Sequence, residues 1–187
     1  LEGALADLQV DPAGLAALDI GASTGGFTDC LLQSGAASVT AVDVGRNLID
    51  ESLRRDRRVT VVEGVNARAL AGHLPGAAFD LAVIDVSFIS LALILPQAAR
   101  LVKPEGRILA MVKPQFEVGR EKVGKKGVVR DPAAIVEAVN KISALGSELT
   151  PAFAELGRAP SRLLGPEGNQ EIFILFQSIN RPPNDNL

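Results

Sequence analysis

The sequence predicts an α/β fold: a mostly parallel seven-stranded sheet with an antiparallel edge pair and helices on both faces. Three observations predict it. Short aliphatic runs alternate with helical stretches from residue 16 to about residue 145. The aromatic complement is seven Phe with no Trp or Tyr, so the core is aliphatic, which suits buried parallel strands. The last two apolar runs follow one another without an intervening helix, which makes them antiparallel neighbours at one sheet edge.

The elements follow in order. Ala16–Ile20 is a strand ending at Gly21, and Gly26–Gln33 a helix. Ser38–Asp43 is a strand, followed by a helix over 47–55 and a β-branched strand at Val59–Glu63. Phe79–Ile84 is a strand delivering Asp85, and 91–103 reads as a helix stopped by Pro104 and Gly106. Residues 107–112 form the fifth strand and deliver Lys113. The stretch 115–130 breaks the rhythm with Gly119, Gly124 and Gly127 among basic residues, and reads as a long loop. Asp131-Pro132 starts a helix, as a capping side chain followed by Pro at the first helical position, and Gly146 can end it. Strands at 150–156 and 171–176 flank a loop at 159–168. Residues 1–179 form one domain, and the polar, Pro-containing tail 180–187 is expected to fray.

Composition narrows the function. The net charge of −3 argues against an independent, strongly nucleic-acid-binding module, though not against a local basic patch. One cysteine, Cys30, and one histidine, His73, exclude an internal disulfide and make a zinc site improbable, so a reducing, cytoplasmic setting is expected and no metal. The first residues are neither basic nor apolar enough for a signal peptide. The longest apolar stretch, around 86–99, is interrupted by Pro96 and falls short of the ~20 residues that span a bilayer, so no membrane partner is expected.

The first site signal is the turn Gly21-Ala22-Ser23-Thr24-Gly25-Gly26-Phe27, between a strand and a helix. Glycines there let the backbone turn tightly and pass close to a ligand. Asp43 ends the next strand, where a carboxylate can accept both ribose hydroxyls of a nucleoside cofactor. A dinucleotide would need glycine at the Ser23 position to admit its pyrophosphate; S-adenosylmethionine has none and tolerates serine. The fold is therefore read as a Rossmann-like methyltransferase fold. Gly21, Ser23, Gly25 and Gly26 are expected to border the methionine moiety, with Ala22 and Phe27 in the same turn. Asp43 is expected to hold the ribose, with Val44 beside the adenine and Asn66 at its edge. Gly21-Ala22-Ser23-Thr24-Gly25 also matches a hydrolase nucleophile elbow, with His73 the sole candidate base. Only twenty residues precede it, too few for the earlier strands such a fold needs.

Asp85 and Lys113 end the fourth and fifth strands, so both belong on the rim where open parallel sheets bind ligands. A surface salt bridge is the plain reading of the pair. The functional one is that Asp85 orients Lys113 and attracts a cationic methyl donor. A neutral Lys113 could take a proton from an acceptor hydroxyl, and a charged one could stabilise an alkoxide; the sequence leaves both open. Arg120, Lys122, Lys125, Lys126 and Arg130 cluster just after Lys113 and are candidates for phosphate contacts. Arg54, Arg55, Arg57 and Arg58 read as a solvated helix end.

The runs LDIGASTGGFTDCLLQ (18–33), AVDVG (41–45), IDVSFISL (84–91), KPQFEVGR (113–120), GKKGVVRDP (124–132) and GPEGN (165–169) resemble the TlyA family, often labelled hemolysin A-like, within the FtsJ-like methyltransferases. The resemblance extends to about Phe176. It implies 2′-O-methylation of a ribosomal RNA ribose, with S-adenosylmethionine converted to S-adenosylhomocysteine, by a Lys-Asp-Lys-Glu tetrad. Three members map here as Asp85, Lys113 and Glu171, with Glu167 a second candidate for the acid. The first lysine and a small N-terminal RNA-binding domain are expected upstream of residues 1–5, which leaves the activity of this stretch alone open. Ribosomal RNA or a ribosomal subunit is the implied partner. The alternatives are a small-molecule methyl acceptor, a membrane-active hemolysin, or a cofactor-binding module without catalysis.

Overall fold

The computed structural model describes residues 1–179; the tail 180–187, with its expected fraying, lies outside the described residues. The chain begins with a short helix, α1 (Glu2–Asp7), which the sequence reading did not assign. There follow β1 (Ala16–Ile20), α2 (Gly26–Gln33), β2 (Ser38–Asp43), α3 (Glu51–Arg55), β3 (Val59–Glu63), α4 (Leu70–His73), β4 (Phe79–Ile84), α5 (Leu95–Ala99), β5 (Val102–Val112), α6 (Pro114–Glu117), α7 (Pro132–Glu148), β6 (Phe153–Pro160) and β7 (Ile172–Ser178).

The seven strands form one sheet in the order β3-β2-β1-β4-β5-β7-β6. Pairings from β3 through β5 are parallel, and β7 runs antiparallel to both β5 and β6. The expected architecture is borne out, including the antiparallel edge pair. Order reverses at β1, whose neighbours are β2 and β4, so the crevice beyond the carboxyl ends of β1 and β4 is the natural ligand site.

Strand alternation divides the core between the two faces. Leu18 and Ile20 of β1, Ile84 of β4, and Ile108, Ala110 and Val112 of β5 pack with α7 residues Val139 and Ile142. On the other face Ala17, Leu81, Val83, Leu109 and Met111 pack with Leu31 of α2 and Leu5 of α1.

Several boundaries differ from expectation, each for a local reason. The helix expected over 47–55 starts at Glu51, because Asn47 takes a positive φ (56°) and Asp50 caps the helix by accepting from Ser52 N. The helix expected over 91–103 divides into a 3₁₀ turn, Leu91–Leu93, and α5. β5 starts early because Val102 pairs with Phe79, and the chain bulges before Arg107 pairs with Leu81. β6 is shifted to Phe153–Pro160, its pairing with β7 passing a bulge between Glu155 and Gly157. The loop 115–130 contains α6 and 3₁₀ turns at Arg120–Lys122 and Lys125–Gly127. His73 is the last residue of α4.

Candidate active site

Register brings the site together. Ile20 pairs with Ile84, so Gly21 and Asp85 leave adjacent strand ends, and Asp85 N donates to Ile20 O at 2.9 Å. Val112 pairs with Ile172 in the antiparallel ladder. The residue after β5, Lys113, therefore lies beside the residue before β7, Glu171. One acid, one amine and one further acid converge on the rim because β7 is reversed.

Lys113 Nζ lies 2.6 Å from Asp85 Oδ1 and donates to Ser87 Oγ at 2.9 Å. The pair is largely screened from water, with 12% of the Lys113 side chain and 27% of the Asp85 side chain exposed. This is not the loosely solvated surface bridge of the plain reading. Glu171 is buried, and desolvation pushes its carboxyl above the ordinary range; the Lys113 charge opposes that shift and Asp85 reinforces it. Gly165 crosses the Glu171 carboxylate so closely that a Cβ there would lie 2.9 Å from Oε1. Glu167, the second candidate, is exposed.

A cavity of about 540 Å³ opens beside this group, within the size range of small-ligand sites. Gly21, Ser23, Asp43, Val44, Asn66 and Asp85 line it, together with Phe88 and Ile89. The Asp43 carboxylate accepts from Ser23 N at 2.8 Å and Gly45 N at 2.7 Å, which aims it along the cavity and holds the glycine turn against β2. Ala22 N and Gly21 N both bond Val42 O, and the Ala22 side chain is buried beneath the turn. Asn66 Oδ1 accepts from Arg68 N, capping a 3₁₀ turn while bordering the cavity. Val44 is largely exposed at its edge. Gly25 and Gly26 line a neighbouring depression over α2 and α3, and Phe27 stacks on Phe173 with centroids 6.2 Å apart. The elbow reading finds no support, since His73 ends α4 and no hydrogen bond joins Ser23 to His73 among the described residues.

Four residues escaped the sequence reading. Asp19 lies fully buried under α2, accepting from Thr28 Oγ1 at 2.7 Å while its Oδ1 has no partner. Burial, with the Asp85 and Asp43 charges adding to it against the Thr28 bonds, pushes its carboxyl up to about 7. Phe88 is 89% exposed at a positive φ (65°) on the cavity edge, its ring 5.3 Å from that of Phe116. Ser87 holds Lys113, and Asn169 is buried, linking Gly127 O and Val129 N to the segment before Glu171. A strand ending in a charge is visible in sequence; an aromatic in a strained turn or an amide crossing between loops is not.

The basic cluster differs from the arginines at positions 54, 55 and 58. Arg54, Arg55 and Arg58 are engaged by Glu63, Glu51 and Asp56. Lys122 pairs with Glu137, but Arg120, Lys125, Lys126 and Arg130 are exposed and carry no ion pair among the described residues. No helix among the described residues is long and apolar enough to cross a membrane.

The sequence model of the FtsJ-like methyltransferases matches residues 1–178. The chain belongs to the FtsJ-like methyltransferase family. Within that family it is 45% identical over 178 residues to the 16S/23S rRNA (cytidine-2′-O)-methyltransferase TlyA of Mycobacterium tuberculosis, covering 95% of this chain and 66% of that protein. It is 36% identical to Hemolysin A of Brachyspira hyodysenteriae, over 94% of this chain and 73% of that protein. A solved structure from Streptococcus thermophilus, provisionally named a hemolysin, superposes with a TM-score of 0.90 at 40% identity, over 98% of this chain and 66% of that one. The resemblance to the TlyA and hemolysin A-like proteins is thus borne out. The chain spans a little less than two thirds of the TlyA relative's length.

Proposed function

We propose that this FtsJ-like domain transfers a methyl group from S-adenosylmethionine to a ribose 2′-hydroxyl of ribosomal RNA. The observation that carries the reading is the convergence of Asp85 and Lys113, 2.6 Å apart, at the mouth of the cavity behind Gly21.

The residues lining the cavity suit the cofactor chemically. The Asp43 carboxylate has lone pairs left for two ribose hydroxyls. Val44, Val65 and Ile89 supply apolar walls for a purine, and the Asn66 amide a polar edge. Asp85 places negative charge where a sulfonium would lie. When bound, S-adenosylmethionine supplies an electrophilic methyl group on a sulfonium centre.

The protein's part is to prepare the acceptor. Lys113 Nζ lies against the Asp85 carboxylate and donates to Ser87 Oγ. Once its own proton has passed to solvent, the amine takes the 2′-hydroxyl proton as the oxygen attacks the methyl group, and Asp85 offsets the charge of the ammonium that re-forms. Glu171, held close by its register with Lys113, orients the amine and the ribose. Phe88 offers an exposed ring on which the acceptor base can stack. Alignment of oxygen and methyl group accounts for much of the acceleration, up to ~7–11 kcal/mol. The unpaired cations of residues 120–130 favour RNA over a small-molecule acceptor, with an N-terminal RNA-binding domain of the full-length protein as the second contact. The setting is cytoplasmic, where ribosomes are.

The test is incubation of full-length protein with rRNA and isotopically labelled cofactor, followed by nucleoside mass spectrometry for a 2′-O-methyl ribose. Lys113→Ala is expected to bind S-adenosylhomocysteine like the parent and to lose methylation. Lys113→Arg, which keeps the charge but cannot give up a proton, is expected to lose it as well. Unchanged turnover in either variant removes Lys113 from the proposed role.

A further inference from the structure

The segments that follow β4 and β5, residues 85–91 and 113–117, are joined at three successive levels. Nearest the sheet, Lys113 Nζ meets Asp85 Oδ1 and Ser87 Oγ. Next, the Phe88 and Phe116 rings lie 5.3 Å apart. Furthest out, the Glu117 carboxylate accepts from Ser90 Oγ at 2.6 Å and from Leu91 N at 2.7 Å. The first two levels belong to the site already described, but Glu117 touches neither the cavity nor the acid–amine pair.

Glu117 is nonetheless an expensive residue to place there. Only 1% of its side chain is exposed. A buried carboxylate is tolerated where its oxygens are bonded and its charge is answered. Both conditions are met. Each oxygen has a short bond from the 85–91 segment, and Lys141 of α7 lies 3.7 Å from Oε2 while donating to the Glu117 carbonyl at 3.1 Å. Ser90 in turn caps the 3₁₀ turn at Leu91–Leu93 through Ala92 N. The segment so anchored carries Phe88 at a positive φ, a conformation that persists only when its surroundings hold it. The sheet does not need this anchor, because β4 and β5 are paired over Leu81–Ile84 without it.

We propose that Glu117 is a positioning residue, a buried latch that sets the separation of the Asp85 and Lys113 segments and so the alignment of the acid–amine pair. The inference rests on the methyltransferase reading of the site. Its physical basis is leverage: the latch lies four residues beyond Lys113 and its partners five and six beyond Asp85, so slack there becomes displacement at the reacting groups. A displacement of ~1 Å can cost ~100-fold in rate.

The experiment uses full-length protein with Glu117→Ala, Glu117→Gln and Ser90→Ala. It measures kcat and KM for rRNA, S-adenosylhomocysteine affinity by calorimetry, and amide hydrogen exchange. Glu117→Ala is expected to lower kcat by ~100-fold, to leave S-adenosylhomocysteine affinity within ~2-fold, and to speed exchange over 86–91 and 114–118 but not in the strands. Glu117→Gln keeps a carbonyl acceptor for Leu91 N and is expected to restore kcat to within ~10-fold of the parent. If Glu117→Ala does not fold, Glu117→Gln and Ser90→Ala decide the matter, each with a several-fold loss in kcat at unchanged S-adenosylhomocysteine affinity. Parental kcat in both, or an equal fall in kcat and S-adenosylhomocysteine affinity, overturns the latch. A parent protein that makes no 2′-O-methyl ribose defeats the methyltransferase reading instead, and exchange over 86–91 then still reports whether Glu117 ties the two segments.

Discussion

Gly21 and Asp85 come so close that a Cβ on Gly21 would lie 2.1 Å from the Asp85 carbonyl oxygen. The pairing of Ile20 with Ile84 forces the approach, and a φ of +91° at Gly21 turns the chain out of β1 at that point. Gly21→Ala must therefore strain its own backbone and push back the segment carrying Asp85. Overpacking of this kind costs ~1–3 kcal/mol, and the left-handed φ adds about 1 kcal/mol. The variant is expected to be less stable in urea and to bind S-adenosylhomocysteine at least ~10-fold more weakly. Parental affinity by calorimetry would detach the Gly21 turn from cofactor binding.

Much of this was legible in the sequence, and the reason is topological. A parallel strand reads as an aliphatic run, and whatever polar residue ends it falls on the ligand rim: Gly21, Asp43, Asp85 and Lys113 were found in this way. The split of the expected 91–103 helix was not legible, since it depends on Val102 pairing with Phe79. Nor was Glu117, whose partners Ser90 and Leu91 lie 27 and 26 residues away. Asp19 sat within the quoted glycine motif, but its burial beneath Thr28 is a property of how α2 packs, not of the motif. Glu171 required the family resemblance, because only the reversal of β7 brings it to Lys113.

Asp43 does two things with one carboxylate. It bonds the backbone N–H groups of Ser23 and Gly45, and it faces the cavity where a ribose would lie. Hydrogen bonds to a charged group contribute about 1.5–3 kcal/mol each. Asp43→Ala is expected to weaken S-adenosylhomocysteine binding by ~100-fold or more, and Asp43→Asn, which keeps one acceptor oxygen, by less. Calorimetric titration checks the order; an alanine variant that binds like the parent rules out the ribose contact.

Asp19 couples stability to pH. Its carboxyl is raised from 3.8 to about 7, so between those values the folded protein holds a proton that the unfolded chain releases. Folding is then favoured toward acid: the contribution is most favourable below pH 3.8, declines as pH rises, and is fully unfavourable above about 7. The shift corresponds to on the order of 4 kcal/mol across that window. Asp19→Asn, uncharged at every pH, removes the dependence. The stability of the variant minus that of the parent, from denaturant unfolding, is expected to grow in the variant's favour from pH 4 to pH 7 and then level off. A difference flat with pH would show that the Asp19 carboxyl is not raised.

The exposed cations after Lys113 distinguish an RNA acceptor from a small molecule. Lys125 and Lys126 are free of ion pairs among the described residues, while Asn169 fixes their loop through Gly127 and Val129. An RNA strand crossing toward Lys113 would release counterions at both lysines, each steepening the salt dependence of log K by ~0.7–0.9. In the full-length protein, Lys125→Gln with Lys126→Gln is expected to raise KM for rRNA, to leave kcat at saturating RNA within ~3-fold of the parent, and to flatten the salt slope by about 1.5. Arg55→Gln serves as the control, since Arg55 is already paired with Glu51 at 2.9 Å. Retention of full rRNA affinity and an unaltered salt slope in the double variant would remove the basic loop from the RNA path and return weight to a small-molecule acceptor.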